Sequence, residues 1–202
     1  SDAVFTTTGT PQAPGVVTGT VTGLTDTTAT LNGTVNPRGT QTSWQFEYGS
    51  TPAFGSFIPV IAESINSLGS QSVSASLTGL APGTLLYFRL TATSAASPGT
   101  VLGSIGSFTT LLPPEVVTQA AIGITQTGAT LLGSVNPRGA PVTWQFEYGA
   151  TTSYGSLAPL SPGSTSGSNS AELVAFNLTG LNPGTTLHYR LKGTNSSGIS
   201  YY

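Results

Sequence analysis

The 202-residue chain has one histidine, His188, and no cysteine. Its seven acidic and five basic residues are scattered along the chain. Nucleophilic catalysis by a hydroxyl needs an activating base beside it, and the many serines here have no such companion. A tetrahedral transition-metal site needs several His, Cys or carboxylate ligands in one place; one histidine and dispersed acids do not assemble one. No EF-hand pattern, phosphate-binding glycine motif or GxSxG elbow occurs. The sequence therefore predicts no enzyme, no metal and no cofactor. His188 alternates with Leu187 and Tyr189, which places it on the outer face of a strand as a surface histidine.

Other chemistry-bearing residues read as structural. Trp44 and Trp144 suggest a sugar-stacking platform, but each shares an inward face with Phe46 or Phe146, so core packing is expected. Asn32, Asn177 and Asn195 sit in Asn-x-Ser/Thr and are acceptors for N-glycosylation in a suitable host. Lys192 is the only lysine, so a Lys–Asn crosslink cannot be a device of the whole chain. A net charge of -2 without a basic patch gives no electrostatic footprint for nucleic acid. No apolar run approaches the roughly 20 residues a spanning helix needs, so no membrane insertion is expected. Low charge and abundant Ser and Thr predict an extracellular or cell-surface protein after removal of a signal peptide.

The elements that position these residues come in duplicate. ATLNGTVNPRGTQTSWQFEYGS begins at Ala29 and ATLLGSVNPRGAPVTWQFEYGA begins at Ala129. Later, LTGLAPGTLLYFRL at Leu77 matches LTGLNPGTTLHYRL at Leu178. Self-similarity at domain length means tandem domains. Within each repeat the apolar residues alternate: Ala29, Leu31, Gly33 and Val35; Trp44, Phe46 and Tyr48; Val73, Ala75 and Leu77; Leu86, Phe88 and Leu90. A two-residue period marks half-buried antiparallel strands. Asn36-Pro37-Arg38-Gly39 and Ala81-Pro82-Gly83 supply turns.

Leu-x-Pro-Gly-Thr followed by an aromatic and Arg-Leu resembles the E–F corner and strand F of fibronectin type III domains. The NPRG turn followed by FEYG is similar to a subgroup found in bacterial surface and secreted proteins. The resemblance implies an all-β fold of two tandem immunoglobulin-like sandwiches. Where the family's corner tyrosine would fall, the chain has Leu86 and Leu187, so packing is expected to hold that corner. The resemblance also makes strands C and F neighbours, which pairs Glu47 with Arg89 and Glu147 with Arg190 as outward structural pairs.

A complete domain of this type has seven strands. The first repeat carries the last of them in the 17 residues from Ser94 to Thr110, ending in FTT. The second repeat has only NSSGISYY, Asn195 to Tyr202, while SDAVFTT stands at the start of the chain. Residues 1–8 therefore read as a strand G, with Ala3, Phe5 and Thr7 facing in and Val4 and Thr6 facing out. The second repeat would then expose an acceptor cleft lined by Leu187, Tyr189 and Leu191, open to β-augmentation. Seven peptide steps from Thr8 to Gly15 reach at most ~25 Å. Closure within one chain would thus require the two domains to lie side by side.

The expected organisation is a donor strand in 1–8, a first domain in 9–112 and a second, incomplete one in 113–202. The expected function is an extracellular structural subunit that binds other copies of itself head to tail by donor-strand complementation. The alternative is a spacer or binding module, a fragment of a longer adhesin or secreted enzyme.

Overall fold

Alternation along the strands sets the architecture. The computed structural model describes residues 12–97 and 99–202, and no helix occurs among them. Strand β1 covers Gly15–Thr22, and β2, Ala29–Asn36, buries Ala29, Leu31, Gly33 and Val35 on one face. Strand β3 (Thr42–Gly49) turns Trp44 and Phe46 inward, and β4 spans Ser56–Ile65. Strand β5 (Gln71–Leu77) buries Val73, Ala75 and Leu77, while β6 (Leu85–Ser94) buries Leu86, Phe88 and Leu90. Two short strands follow, β7 (Val101–Leu102) and β8 (Gly106–Thr109). The second repeat forms β9 (Glu115–Ile122), β10 (Gly128–Asn136), β11 (Thr143–Gly149) and β12 (Ser156–Ser164). It continues with β13 (Glu172–Thr179), β14 (His188–Thr194) and β15 (Ser200–Tyr201).

The chain divides into two compact units. The first comprises 12–24, Thr28–Leu80 and Thr84–Thr110; the second comprises Thr25–Thr27, Ala81–Gly83 and Leu111–Tyr202. Apart from Thr25–Thr27 and Ala81–Gly83, the division falls between Thr110 and Leu111. The expected donor strand, 1–8, lies outside the described residues.

In the first unit β1, β2 and β5 form one antiparallel sheet in that order. The other runs β4-β3-β6, with β7 and β8 both paired to β6. The inward residues of both sheets meet in one buried cluster around Leu31, Phe46 and Leu90. The second unit repeats the plan, with β13-β10-β9 in one sheet and β12-β11-β14-β15 in the other. Leu131, Val135, Phe146 and Leu191 sit at the centre of its core. The protein is all-β, built of immunoglobulin-like sandwiches, and β3 neighbours β6 as the fibronectin type III resemblance implies.

The NPRG turns take more strain than glycine alone relieves. Arg38 has φ 53° and Gly39 φ 78°; Arg138 has φ 51° and Gly139 φ 99°. A left-handed conformation costs a non-glycine residue roughly 1–2 kcal/mol. Each turn offsets part of this by a local hydrogen bond, in which the Asn36 or Asn136 side-chain oxygen accepts from the Arg38 or Arg138 amide, at 3.1 and 3.2 Å.

The two sheets of each unit are also tied along the edge of β6 and of β14. The Leu90 amide donates to Thr18 Oγ1 at 3.0 Å, and the Leu191 amide donates to Thr118 Oγ1 at 2.8 Å. A threonine hydroxyl from β1 or β9 thereby takes a donor that a continuous strand G would otherwise satisfy. This explains why strand G of the first unit is split. β7 pairs with Thr91 and Ala92, β8 pairs with Leu85 to Phe88, and the threonine occupies the gap between them.

Candidate functional site: an open groove on the second unit

The two units differ along the start of β6 and of β14. In the first, β8 lies against the start of β6 with Leu85 opposite Thr109 and Phe88 opposite Gly106. Phe108 is buried, and its ring meets the Phe88 ring edge-on at 5.9 Å. In the second unit β15 pairs only with Gly193 and Thr194, of which Gly193 is the counterpart of Ala92, a β7 contact. Among the described residues no strand pairs with 186–189 on the side away from β11, which itself holds His188 and Tyr189. Strand β14 accordingly begins at His188, whereas β6 begins two residues earlier in the equivalent sequence, at Leu85. The backbone loses its strand geometry where the ladder partner is missing.

A groove of about 190 Å³ occupies that place. Leu187 and Tyr189 form one wall, and Leu131, Leu178 and Leu181 form the floor and the other wall. Ile124, 74% exposed, stands at its rim. None of the lining residues carries a charge, and polar Thr125, Gln126, Asn182 and Thr185 line it beside the leucines, so the groove suits an uncharged segment with both apolar and hydroxyl side chains. Its counterpart in the first unit is closed: Leu86 and Phe88 are buried there beside Phe108, while Leu187 and Tyr189 are only half-buried. The Tyr189 hydroxyl donates to the Gln119 carbonyl at 2.7 Å and so fixes the ring in the groove wall.

Leu191 corrects the expected cleft. It is fully buried in the core and does not line the groove. Its methyl groups pack against Gly133, where an added Cβ would lie 2.6 Å from Leu191 Cδ2. Thr118, bonded to the Leu191 amide, covers it from the β9 side. Alternation gave the face of Leu191 correctly but not its depth.

The E–F corner that lacks a tyrosine is closed in the first unit by a threonine. The Thr84 amide donates to Thr110 Oγ1 at 2.8 Å, and the Thr110 amide donates to the Thr84 carbonyl at 3.0 Å. Thr110 is 2% exposed. In the second unit the matching Thr185 amide turns instead to the Asn182 carbonyl at 3.3 Å, a long bond within its own turn. Packing of Leu86 therefore shares the corner with this hydrogen-bonded clasp. The sequence signal for the clasp was the pair of threonines ending FTT.

The charged pairs stand on the outer faces. Arg89 Nε donates to Glu47 Oε2 at 2.6 Å, and Arg190 Nε and Nη2 donate to Glu147 Oε2 at 2.8 and 2.7 Å. Arg89 lies over the Phe54 ring, and Arg190 lies over the rings of Tyr154 and Tyr202. Part-exposed pairs of this kind typically contribute ~1 kcal/mol or less each, a structural role. His188 is exposed on the outer face of β14. Trp44 is buried against Phe46 and Trp144 packs on Phe146, each with its ring edge-on. Among the described residues no group of three or more His, Asp or Glu side chains gathers as metal ligands would.

Of the three glycosylation sequons, Asn177 is exposed. Asn32 is half-buried, with its amide donating to the Thr20 carbonyl at 2.9 Å. Asn195 corrects the sequence expectation, because it is 8% exposed and its side chain is fully engaged. Its oxygen accepts from the Ser197 and Ile199 amides, and its Nδ2 donates to Asp26 Oδ1 at 2.7 Å. A glycan on Nδ2 would displace these contacts.

The same carboxylate receives the Tyr201 hydroxyl. Burial first, then the hydrogen bond and charge of Asp26, push the Tyr201 pKa up to about 12. A phenol whose folded pKa lies above its unfolded value of ~10 stabilises the fold below that value and stops doing so as pH rises through the folded one. Tyr201→Phe should therefore erase a stability loss that the wild-type second unit shows between pH 10 and 12. Urea denaturation across that range checks it; an identical pH dependence in both proteins would disprove the coupling.

No family model matches the chain, and no curated protein matches it. Solved structures do. The chain is similar to the sensor domain of the anti-sigma factor RsgI4 in Pseudobacteroides cellulosolvens, at 22% identity and a TM-score of 0.36, over 56% of this chain and all of that one. It is similar to the FN1–FN3 domains of chicken CNTN1, at 13% identity and a TM-score of 0.41, over 94% of this chain and 68% of that one. A segment of two fibronectin type III domains from chicken tenascin matches at 18% identity and a TM-score of 0.28, over 92% and 97%.

Proposed function

We propose that this chain is an extracellular structural subunit whose copies join head to tail, residues 1–8 of one copy completing the second unit of the next. The groove along 186–189 carries this reading. It stands where the first unit places Phe108, it is uncharged and lined by Leu131, Leu178, Leu181 and Leu187, and the adjoining backbone has an open edge on the side away from β11. Residues 1–8 repeat the Phe-Thr-Thr of Phe108, Thr109 and Thr110. They carry one charged side chain, Asp2, ahead of the three inward residues. Burying the Phe5 side chain contributes about 1.5–3 kcal/mol, and strand addition adds main-chain hydrogen bonds. A contact between unlike surfaces of identical copies extends into a filament when it does not close. The low charge and the Ser/Thr-rich surface suit an extracellular setting.

Two full-length variants separate donor from acceptor. Phe5→Asp removes the donated ring and leaves the groove; Leu187→Asp spoils the groove and leaves the donor. The intact chain should lengthen with concentration in sedimentation and show filaments by electron microscopy. Each variant alone should stay a single copy, and an equal mixture should form dimers and nothing larger. Filaments from both variants, or an intact chain that never exceeds one copy, would overturn the proposal.

A further inference from the structure

The first unit shows, in its own closing strand, what a segment in the groove must present. Two inward positions of that strand make specific contacts. Phe108 sets its ring edge-on to Phe88, and Thr110, two residues later, exchanges hydrogen bonds with Thr84 through both its amide and its hydroxyl. The intervening Thr109 is exposed. In the second unit the receiving groups are Tyr189, its ring held by Gln119, and Thr185, its amide on a long bond within its turn.

We infer that the groove reads a two-position code, an aromatic ring followed two residues later by a threonine, with Tyr189 and Thr185 as the residues that read it. The inference rests on the proposed strand donation and names its specificity. The aromatic position supplies most of the affinity because it fills the apolar floor formed by Leu131 and Leu178. The threonine sets the register. Only in one alignment does its hydroxyl reach the Thr185 amide while the ring sits over Tyr189. A slip of one residue turns both side chains to solvent. A slip of two brings a threonine over the floor, where the volume meant for a ring stays unfilled. Valine has the shape of threonine but no hydroxyl, so it would leave the Thr185 amide facing an apolar methyl.

The test uses the full-length Phe5→Asp chain, which cannot donate productively, and the synthetic octapeptide Ser-Asp-Ala-Val-Phe-Thr-Thr-Thr. Binding is followed by fluorescence anisotropy of the labelled peptide and by hydrogen exchange at 185–189. The octapeptide should bind saturably and slow exchange there, leaving the first unit unchanged. Replacing its phenylalanine by alanine should weaken binding on the order of a hundredfold. Replacing its seventh residue by valine should weaken it about tenfold, and the same change at the sixth should have no effect. Equal affinities of the sixth- and seventh-position peptides, or no protection at 185–189, would overturn the code. The outcomes separate from those of the filament proposal. Peptide binding with this profile but no filaments would sink only the assembly, whereas filaments with an indifferent seventh position would sink only the code.

Discussion

Phe108→Ala should lower the stability of the first unit by about 3–5 kcal/mol, the usual cost of truncating a buried phenylalanine. The ring is 8% exposed and meets Phe88 edge-on. It also anchors β8, four residues long, which holds the start of β6 through the pairs from Leu85–Thr109 to Phe88–Gly106. Losing the ring therefore loosens the ladder and the Thr84–Thr110 clasp along with the packing. Domains of this size are stable by only about 5–15 kcal/mol in total, so a large share of the unit's stability is at stake. Urea denaturation gives the magnitude, and hydrogen exchange assigns it: protection should fall across β6 and β8 and hold across β14. A loss below about 1 kcal/mol would mean that this side of the sandwich needs no occupant. The second unit's groove would then have little reason to recruit one.

How far the sequence foretold this site depends on what kind of information each residue carries. Alternation along Ala29, Leu31 and Val35, or along Leu86, Phe88 and Leu90, is local, and the strands and their buried faces follow from it. The neighbourhood of Glu47 and Arg89 came from the family resemblance, since forty residues separate them and no local pattern joins them. The internal repeat gave the most. Comparing the two copies located the place where one has Phe108 and the other lacks a partner, and the groove lies there. Depth and cross-sheet hydrogen bonding were not legible. Leu191 alternates inward like Leu187, yet Gly133 and Thr118 seal it in the core. Asn195 reads as a sequon, but whether its amide is free depends on Ser197, Ile199 and Asp26 folding around it. The hydroxyls of Thr18 and Thr118 are two among many in a Ser/Thr-rich chain, and only the structure shows that they take the amides of Leu90 and Leu191. Arg38 at positive φ was hidden for a related reason, since the turn motif pointed to its glycine neighbour.

Appending the sequence of residues 1–8 behind the second unit should stabilise that unit. One glycine followed by a second copy of Ser1–Thr8, appended after Tyr202 in the Phe5→Asp background, would complete the second unit from within. The glycine sets the register. β7 and β15 pair at matching places on β6 and β14, Val101 opposite Ala92 and Tyr201 opposite Gly193. Tyr202 then corresponds to Leu102, which lies six residues before Phe108. With the glycine, the appended phenylalanine also lies six residues beyond Tyr202, on the inward face. The inserted residue would stand where the first unit has Gly103. A Cβ on Gly103 would collide with Thr18 Oγ1 and lie 3.0 Å from the Thr18 nitrogen; Thr118 waits at the equivalent place, so glycine is the residue that fits. Burial of the ring alone adds about 1.5–3 kcal/mol, which for a unit of this size raises its melting temperature by on the order of 10 °C. Omitting the glycine should forfeit most of that gain, because a one-residue slip turns the phenylalanine to solvent. Calorimetry on the two fusions decides it. Equal melting temperatures with and without the glycine would show that the groove does not hold a strand in the register of Phe108.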